Sequence, residues 1–521
     1  MRRRTLLSAA LAAPAFARAA TATTLKIVPA SDLAALDPVW TTAPAVRNHG
    51  YMVFDTLYAT DAAFRVLPQM AEGHVVEDEG RLWTIRLRDG LRFHDGTPVL
   101  ARDAVASIRR FAARDSFGET LMATTDELSA PDDRTIRFRL KAPFPLLTKV
   151  LGKPSSNMPC IMPERLALTD PGKQVIEMVG SGPYRFLADE RVPGSRVAYQ
   201  RFEGYVPRAD GVASFTAGPK RAQFDRVEWQ VIPDASSKVN ALINGEVDWV
   251  EQPSTDLLDV LRASRKVVIR PALVGDLAVM VLNHQQPPFD NAAIRRALLH
   301  AISQTDMMRA AIGDDRALWS DAVAVFNPGT AMDSRSGLEV MTGPRDLPRA
   351  RREIEAAGYK GERAVLLGAA DLPLETAYIN LAADVLKRIG MNVDLVSVDW
   401  GTTVQRRASK QPVGAGGWSA FFTNLSWPNN FDPAGHLGLR SGSAAWFGWP
   451  SMPRMEALRT QWLAASDPAA QAAICAEMER QFWVDVPYVP LGAVALPTAY
   501  SASLTPPRTG SLQAYDVARR A

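Results

Sequence analysis

AVLLGAADLPLETAYINLAADVLKRIGMNVDLVS, residues 364–397, decides the fold class. Its first six residues are an apolar run of a length that suits a buried strand. Ile379, Leu381, Ala382, Val385, Leu386 and Ile389 then recur at helical spacing, and Gly390 ends the helix. Met391, Val393, Leu395 and Ser397 begin a new alternating strand. Strand, helix and strand at this spacing form a βαβ unit, so at least one domain is α/β with parallel pairing.

Other elements can be placed outward from this unit. LWTIRL, residues 82–87, alternates as a strand, and Asp95-Gly96 turns the chain toward a helix through Ala104, Val105, Ile108 and Phe111. Thr97-Pro98 and Asp103 are the start signals of that helix. A second strand at residues 135–140 sets Ile136, Phe138 and Leu140 against arginines on the solvent face. Ile294, Ala297, Leu298, Ala301 and Ile302 make one buried helical stripe, capped by Asp290 or Asn291. The chain closes with a helix at about 468–484 and a strand at 488–496.

The N-terminus reads as an export signal at residues 1–20. Arg2, Arg3 and Arg4 precede Leu6 and Leu7, a short apolar stretch reaches Phe16, and Ala17-Arg18-Ala19 offers a cleavage site. The stretch is too short to span a bilayer. Paired arginines before x-Leu-Leu resemble the twin-arginine signal; an arginine-rich Sec signal is the alternative. Four of the 59 Lys and Arg fall in this leader, which leaves 55 against 56 Asp and Glu. A mature chain so near neutrality carries no basic field for nucleic acid or an anionic membrane. About 500 mature residues call for two or three domains. Cys160 and Cys475 are the chain's two cysteines; they read as buried thiols, with a disulfide as the alternative. Neither follows the leader, so no lipid anchor is expected at a mature N-terminal cysteine.

Catalytic and cofactor signatures are missing: there is no H-E-x-x-H, G-x-S-x-G, P-loop or G-x-G-x-x-G. The six histidines are scattered without ligand spacing, and His94 beside Asp95 reads as structural. No cofactor, metal or catalytic residue is expected. Residues 418–449 stand out instead, with eight of the chain's 41 aromatics interleaved with Gly, Ser, Asn and Pro. That composition reads as irregular loops lining a pocket; a satellite cluster packing the loop onto its own domain is the alternative.

Several strings carry a resemblance. They are FDTLY from Phe54, LRFHDGTPV from Leu91, APDDRTIRF from Ala130, GSGPYRF from Gly180 and VIPDASSKVNALINGEVDW from Val231. LNHQQPPFDNAAIRRAL from Leu282, EAAGY from Glu355, LKRIGMNVDLVSVDW from Leu386 and PYVPLG from Pro487 complete the set. In this order the chain resembles the family 5 extracytoplasmic solute-binding proteins of peptide- and nickel-type ABC importers. The resemblance implies a bilobal periplasmic-binding-protein fold of three domains, with the ligand cleft between lobes. Residues 21–59, 180–271 and 487–521 would form the first lobe, 60–179 an extra domain packed on it, and 272–486 the second lobe. Hinge crossings would fall near Pro271 and at Val486-Pro487.

The resemblance also nominates site residues. Trp418 is expected to stack on ligand, with Phe421, Thr423, Asn424 and Trp446 as lining and Thr42, Arg47 and His49 from the other lobe. In dipeptide binders the family pattern places an aspartate three residues past the Gly-Trp tryptophan, to pair with the ligand's ammonium. Here that position is Phe421, which disfavours a free-amino dipeptide unless Asp432 folds back. The remaining chemistry suits a blocked peptide, an aromatic metabolite or a cation held over ring faces. Arg335 and Arg345 lie in the stretch where the family's carboxylate-binding arginine falls, without a matching motif. The function implied is that of a non-catalytic, monomeric periplasmic receptor, soluble and not lipid-anchored. It would pass a peptide-like or other small organic solute to an inner-membrane ABC permease. A metal or metal-chelate receptor of the nickel branch and, more remotely, an exported hydrolase are the alternatives.

Overall fold

The computed structural model describes residues 23–520 apart from 156, 273, 443, 444 and 511, so the expected export signal lies outside the described residues. Within it the βαβ unit forms as Arg363–Ala369, Pro373–Arg388 and Asn392–Val398. The two strands pair in parallel from Arg363 with Asn392 to Ala369 with Val398. Gly390 takes φ +93° just past the helix, a left-handed conformation that a side chain would strain.

This unit sits at one edge of a six-stranded sheet. The order is Trp319–Ser320, Tyr488–Val494, Asp276–Leu282, Ala420–Leu425, Arg363–Ala369 and Asn392–Val398. The interior strands are near-continuous apolar runs, and every residue of Tyr488–Val494 is buried. A seven-stranded sheet runs Tyr184–Phe186, Arg196–Arg201, Arg226–Gln230, Thr24–Val28, Trp249–Val250, Thr498–Ser501 and Val267–Arg270. A third, four-stranded sheet holds Ala71–Glu77, Leu82–Leu87, Thr135–Leu140 and Thr125–Ser129. Together they make the two lobes and an added domain beside the first.

The chain passes from one large sheet to the other after Arg270 and returns after Val494. The second crossing corrects the expected one at Val486-Pro487. Tyr488–Val494 pairs antiparallel with Asp276–Leu282, so the chain leaves the second lobe one strand later than the proline suggested. Residues 418–449 need a correction too. Ala420–Leu425 is a regular strand, paired with Asp276–Leu282 on one side and Arg363–Ala369 on the other.

Local signals explain several joints. Asn291 is the cap of helix Ala292–Ala301, its side chain accepting the Ala293 N–H at 2.9 Å. Helix Ala101–Ala112 starts with Asp103, which reaches back to the Leu100 N–H at 2.8 Å. His94 joins the strings LRFHDGTPV and GSGPYRF. Its Nδ1 accepts the Gly180 N–H at 3.2 Å, and its Nε2 lies 3.1 Å from the Gly182 carbonyl. Burial brings its pKa down to about 4, so it stays neutral in this clasp. A Cβ on Gly180 would lie 1.9 Å from the Val53 carbonyl oxygen, so only glycine allows the approach. Cys160 and Cys475 are buried free thiols. No helix among the described residues is long and apolar enough to cross a membrane.

Candidate functional site

A cavity of about 1020 Å³ lies between the lobes. The crossing segments, through Pro271, Val274 and Leu496, form part of its wall. In open parallel sheets the strands' carboxyl ends leave a crevice where side chains from successive loops converge. Both large sheets use it. Glu251 follows strand Trp249–Val250, Asn424 ends strand Ala420–Leu425, Glu375 follows Arg363–Ala369, and Trp400 follows Asn392–Val398. Asp276 joins them because its strand runs antiparallel to Ala420–Leu425, with Leu277 opposite Leu425.

Five of the eight nominated residues line this cavity: Thr42, Arg47, Thr423, Asn424 and Trp446. Arg47 lies on helix Pro44–Val53, and its buried Nε has no hydrogen-bond partner. Desolvation lowers its pKa, against the charges of Tyr51, Asp276 and Glu251. His49, two residues on, points the opposite way because a helix turns about 200° over that step. It sits in the first lobe's core, 3.0 Å from the Tyr199 hydroxyl, with its pKa pushed to about 3 by burial. His49 is therefore corrected from cleft residue to core residue.

Trp418 and Phe421 need the same correction. Both are fully buried and neither lines the cavity. The Trp418 indole N–H donates to the Arg407 carbonyl at 3.1 Å, and its ring meets Phe421 edge-on at 5.1 Å. Phe421 in turn packs against Trp446 and Phe447. Their clustering is a consequence of packing behind the cleft wall, with Trp446 alone of this group reaching the cavity.

Sequence reasoning missed the cleft's carboxylates. Glu251 accepts the Ala30 N–H and the Asn48 amide, each at 2.8 Å. Asp276 accepts the Trp427 N–H at 2.9 Å, and Glu375 accepts the Asn424 amide at 2.8 Å. Burial raises the pKa of all three. The available signal was an acid abutting the end of an apolar strand pattern, as at Glu251 and Asp276. Arg407 also lines the cavity and was missed, since nothing near it in sequence marks it. Asp432 does not turn to the cavity; it pairs with Lys149 at 2.8 Å. Arg335 pairs with Asp333 on the surface, and Arg345 pairs with Asp306 beside a separate cavity of about 560 Å³. No group of three or more His, Cys, Asp or Glu among the described residues is placed to hold a metal ion.

The arrangement can enclose a solute bearing charges of both signs and exclude water from it. Comparisons with known proteins agree with that geometry. The family of bacterial extracellular solute-binding proteins, family 5 (middle), matches residues 65–436. A probable peptide ABC transporter periplasmic-binding protein, y4tO of Sinorhizobium fredii, is 36% identical over 508 residues, 95% of this chain and 94% of its own. Two solved structures share the fold at 17–18% identity and a TM-score of 0.78. One is AgaA of A. tumefaciens R10 with agropinic acid, covering 96% of this chain and 99% of its own. The other is a dipeptide binding protein of Pseudoalteromonas sp. SM9913 with Met-Leu, covering 95% and 100%.

Proposed function

The chain belongs to the bacterial extracellular solute-binding proteins of family 5, and we propose that it closes its lobes on a peptide-like solute as the receptor of an ABC importer. It hands that solute, chemically unchanged, to an inner-membrane permease. The observation that carries this reading is the convergence of opposite charges from both lobes on one cavity. Arg47 and Glu251 come from the first lobe, Asp276, Glu375 and Arg407 from the second. The similarity to the Sinorhizobium fredii protein over nearly the whole chain supports the importer context.

The absence of an acid at position 421 no longer argues against a free amino group. That side chain is buried behind the wall, whereas three carboxyls held above their usual range by burial wait in the cavity. A ligand ammonium would supply the counter-charge that favours their ionised forms. The basic leader and its small-residue cleavage site support export to the periplasm, and the paired arginines support the twin-arginine route. The mature receptor acts as a monomer without a lipid anchor.

Native mass spectrometry of the mature protein, purified from the periplasm without refolding, tests this. A peptide-like mass bound one to one, and recovered intact after incubation, is expected. Turnover of the bound solute, or cargo that is never peptide-like, overturns the reading.

A further inference from the structure

Two phenylalanines hold the left-handed backbone conformation that a bulky side chain avoids, Phe64 at φ +62° and Phe215 at φ +46°. Both turn their rings to one corner of the second lobe. Phe64 stacks on Phe431 at 5.2 Å and meets Trp427 edge-on at 6.0 Å, and Phe215 meets Trp427 at 5.2 Å. Phe64 belongs to the added domain and Phe215 to the first lobe, so all three ring contacts run from one side of the cleft to the other. Neither phenylalanine lines the cavity.

The chain fixes both rings in advance. Phe64 sits in the turn between strands Tyr58–Thr60 and Val66–Pro68, where Asp61 accepts the Ala63 and Arg65 N–H groups, each at 2.9 Å. That turn is stitched to the loop of Phe215. Ser214 Oγ accepts the Ala62 N–H at 3.0 Å, Thr216 Oγ1 accepts the Thr60 N–H at 2.9 Å, and the Thr216 N–H donates to the Thr60 carbonyl at 3.0 Å. Arg508 donates to the Phe215 and Ala217 carbonyls at 3.1 and 2.8 Å, and a Cβ on Gly510 would lie 2.3 Å from the Phe215 ring. The facing corner is held as firmly. The Trp427 N–H donates to Asp276 at 2.9 Å, and its carbonyl accepts the Asn327 amide at 2.6 Å. Left-handed bulky residues persist only where their surroundings impose them, and they gather at clamps and switches.

We propose that Phe64 and Phe215 form the fixed plate of a closure latch, on which Trp427 and Phe431 of the second lobe seat. With the lobes apart these rings face water, and seating them favours the closed form whatever the cleft holds. Part of the free energy of closure then comes from the chain itself, at a place no solute touches. The latch multiplies the affinity of every accepted solute by one factor and draws the empty receptor toward closure. This rests on the receptor reading for the closing motion, but not on the nature of the solute.

The test compares the mature wild-type protein with Phe64→Gly, Phe431→Ala and the double variant. Glycine at position 64 relieves the left-handed backbone in open and closed forms alike, so the melting temperature should change little while the ring contacts are lost. Small-angle scattering on protein freed of cargo should show a larger radius of gyration in each variant than in the wild type. Calorimetry uses tri-alanine, methionyl-leucine and succinate as probes. Every probe that the wild type binds should weaken by one common factor, about 5- to 100-fold in Phe64→Gly, the scale of two ring contacts. The double variant should lose less than the product of the two single effects, because the two rings share one contact. Succinate binding alone, weakened alongside an enlarged radius, supports the latch while sinking the peptide reading. The proposal is overturned if the radius of the empty protein is the same in all variants, if the probes weaken by unequal factors, or if Phe64→Gly acts only by lowering the melting temperature.

Discussion

Lys149 is where the added domain grips the second lobe, and Lys149→Met should release that grip. Its ammonium pairs with Asp432 at 2.8 Å and lies over the rings of Trp462, at 5.0 Å, and Phe431, at 5.5 Å. Beside it Phe64 stacks on Phe431 at 5.2 Å and meets Trp427 edge-on at 6.0 Å. The Asp432 side chain is only 5% exposed, so deleting its partner leaves a nearly buried anion whenever the lobes meet. Breaking a buried pair in this way costs roughly 3–5 kcal/mol. Lys149 is 21% exposed, and discounting for solvent screening leaves about 2–3 kcal/mol. With the lobes apart both side chains are hydrated, so the loss falls on closure and disfavours it roughly 30- to 150-fold. Small-angle scattering during titration with the tightest-binding probe should show a larger radius of gyration and a weaker apparent Kd. Adding Asp432→Asn should recover most of both. An asparagine there can still accept the Ala434 N–H, as Asp432 does at 2.8 Å, while removing the stranded charge. An unchanged titration in Lys149→Met, or a defect that the second substitution leaves in place, would refute the reasoning.

Two further outcomes follow from buried groups in the second lobe. Glu479 accepts Ser334 and the Ser336 N–H through Oε2, Oε1 is unpartnered, and burial raises its pKa to about 7. An acid whose folded pKa lies above its unfolded value of about 4.5 is held by proton binding to the folded state, so stability is highest at low pH. It should be lost as pH rises from about 4.5 to 7, by about 3 kcal/mol in all; Glu479→Gln should flatten that slope in denaturant melts, and an unaltered slope counts against the assignment. Trp418→Ala should cost stability by roughly 3–5 kcal/mol, the scale for emptying a buried aromatic site, with ligand discrimination retained in the folded fraction. Lost binding with an unchanged denaturation midpoint would return Trp418 to the cavity.

The fold was legible because its signals are local. A six-residue apolar run, a helix ended by a left-handed glycine and a second alternating strand suffice for a parallel βαβ unit, and the register bears it out. The strings beginning at Leu91 and Gly180 were legible for a reason that sequence does not display. The His94 ring joins them, and each constrains the other through hydrogen bonds and an approach that excludes a Cβ. The second crossing was misplaced because a proline after a helix resembles a hinge, whereas Tyr488–Val494 is a fully buried interior strand.

The site was legible only in outline, and the residues that misled are instructive. An aromatic cluster says that rings gather; it does not say on which side of the wall. Ala420–Leu425 alternates across its sheet, and residues near its carboxyl end reach the crevice while Phe421 packs into the core. The same two-face geometry separates Arg47 from His49 on one helix. The charge that the rings frame, that of Arg407, stands eleven residues before Trp418, on a different element. That cation is surrounded only in the folded chain, by four rings from three segments. A motif search that scores rings as ligand contacts therefore selects for blocked or cationic ligands, while only Trp400 and Trp446 of these four rings line the cavity and Phe421 and Phe447 do not.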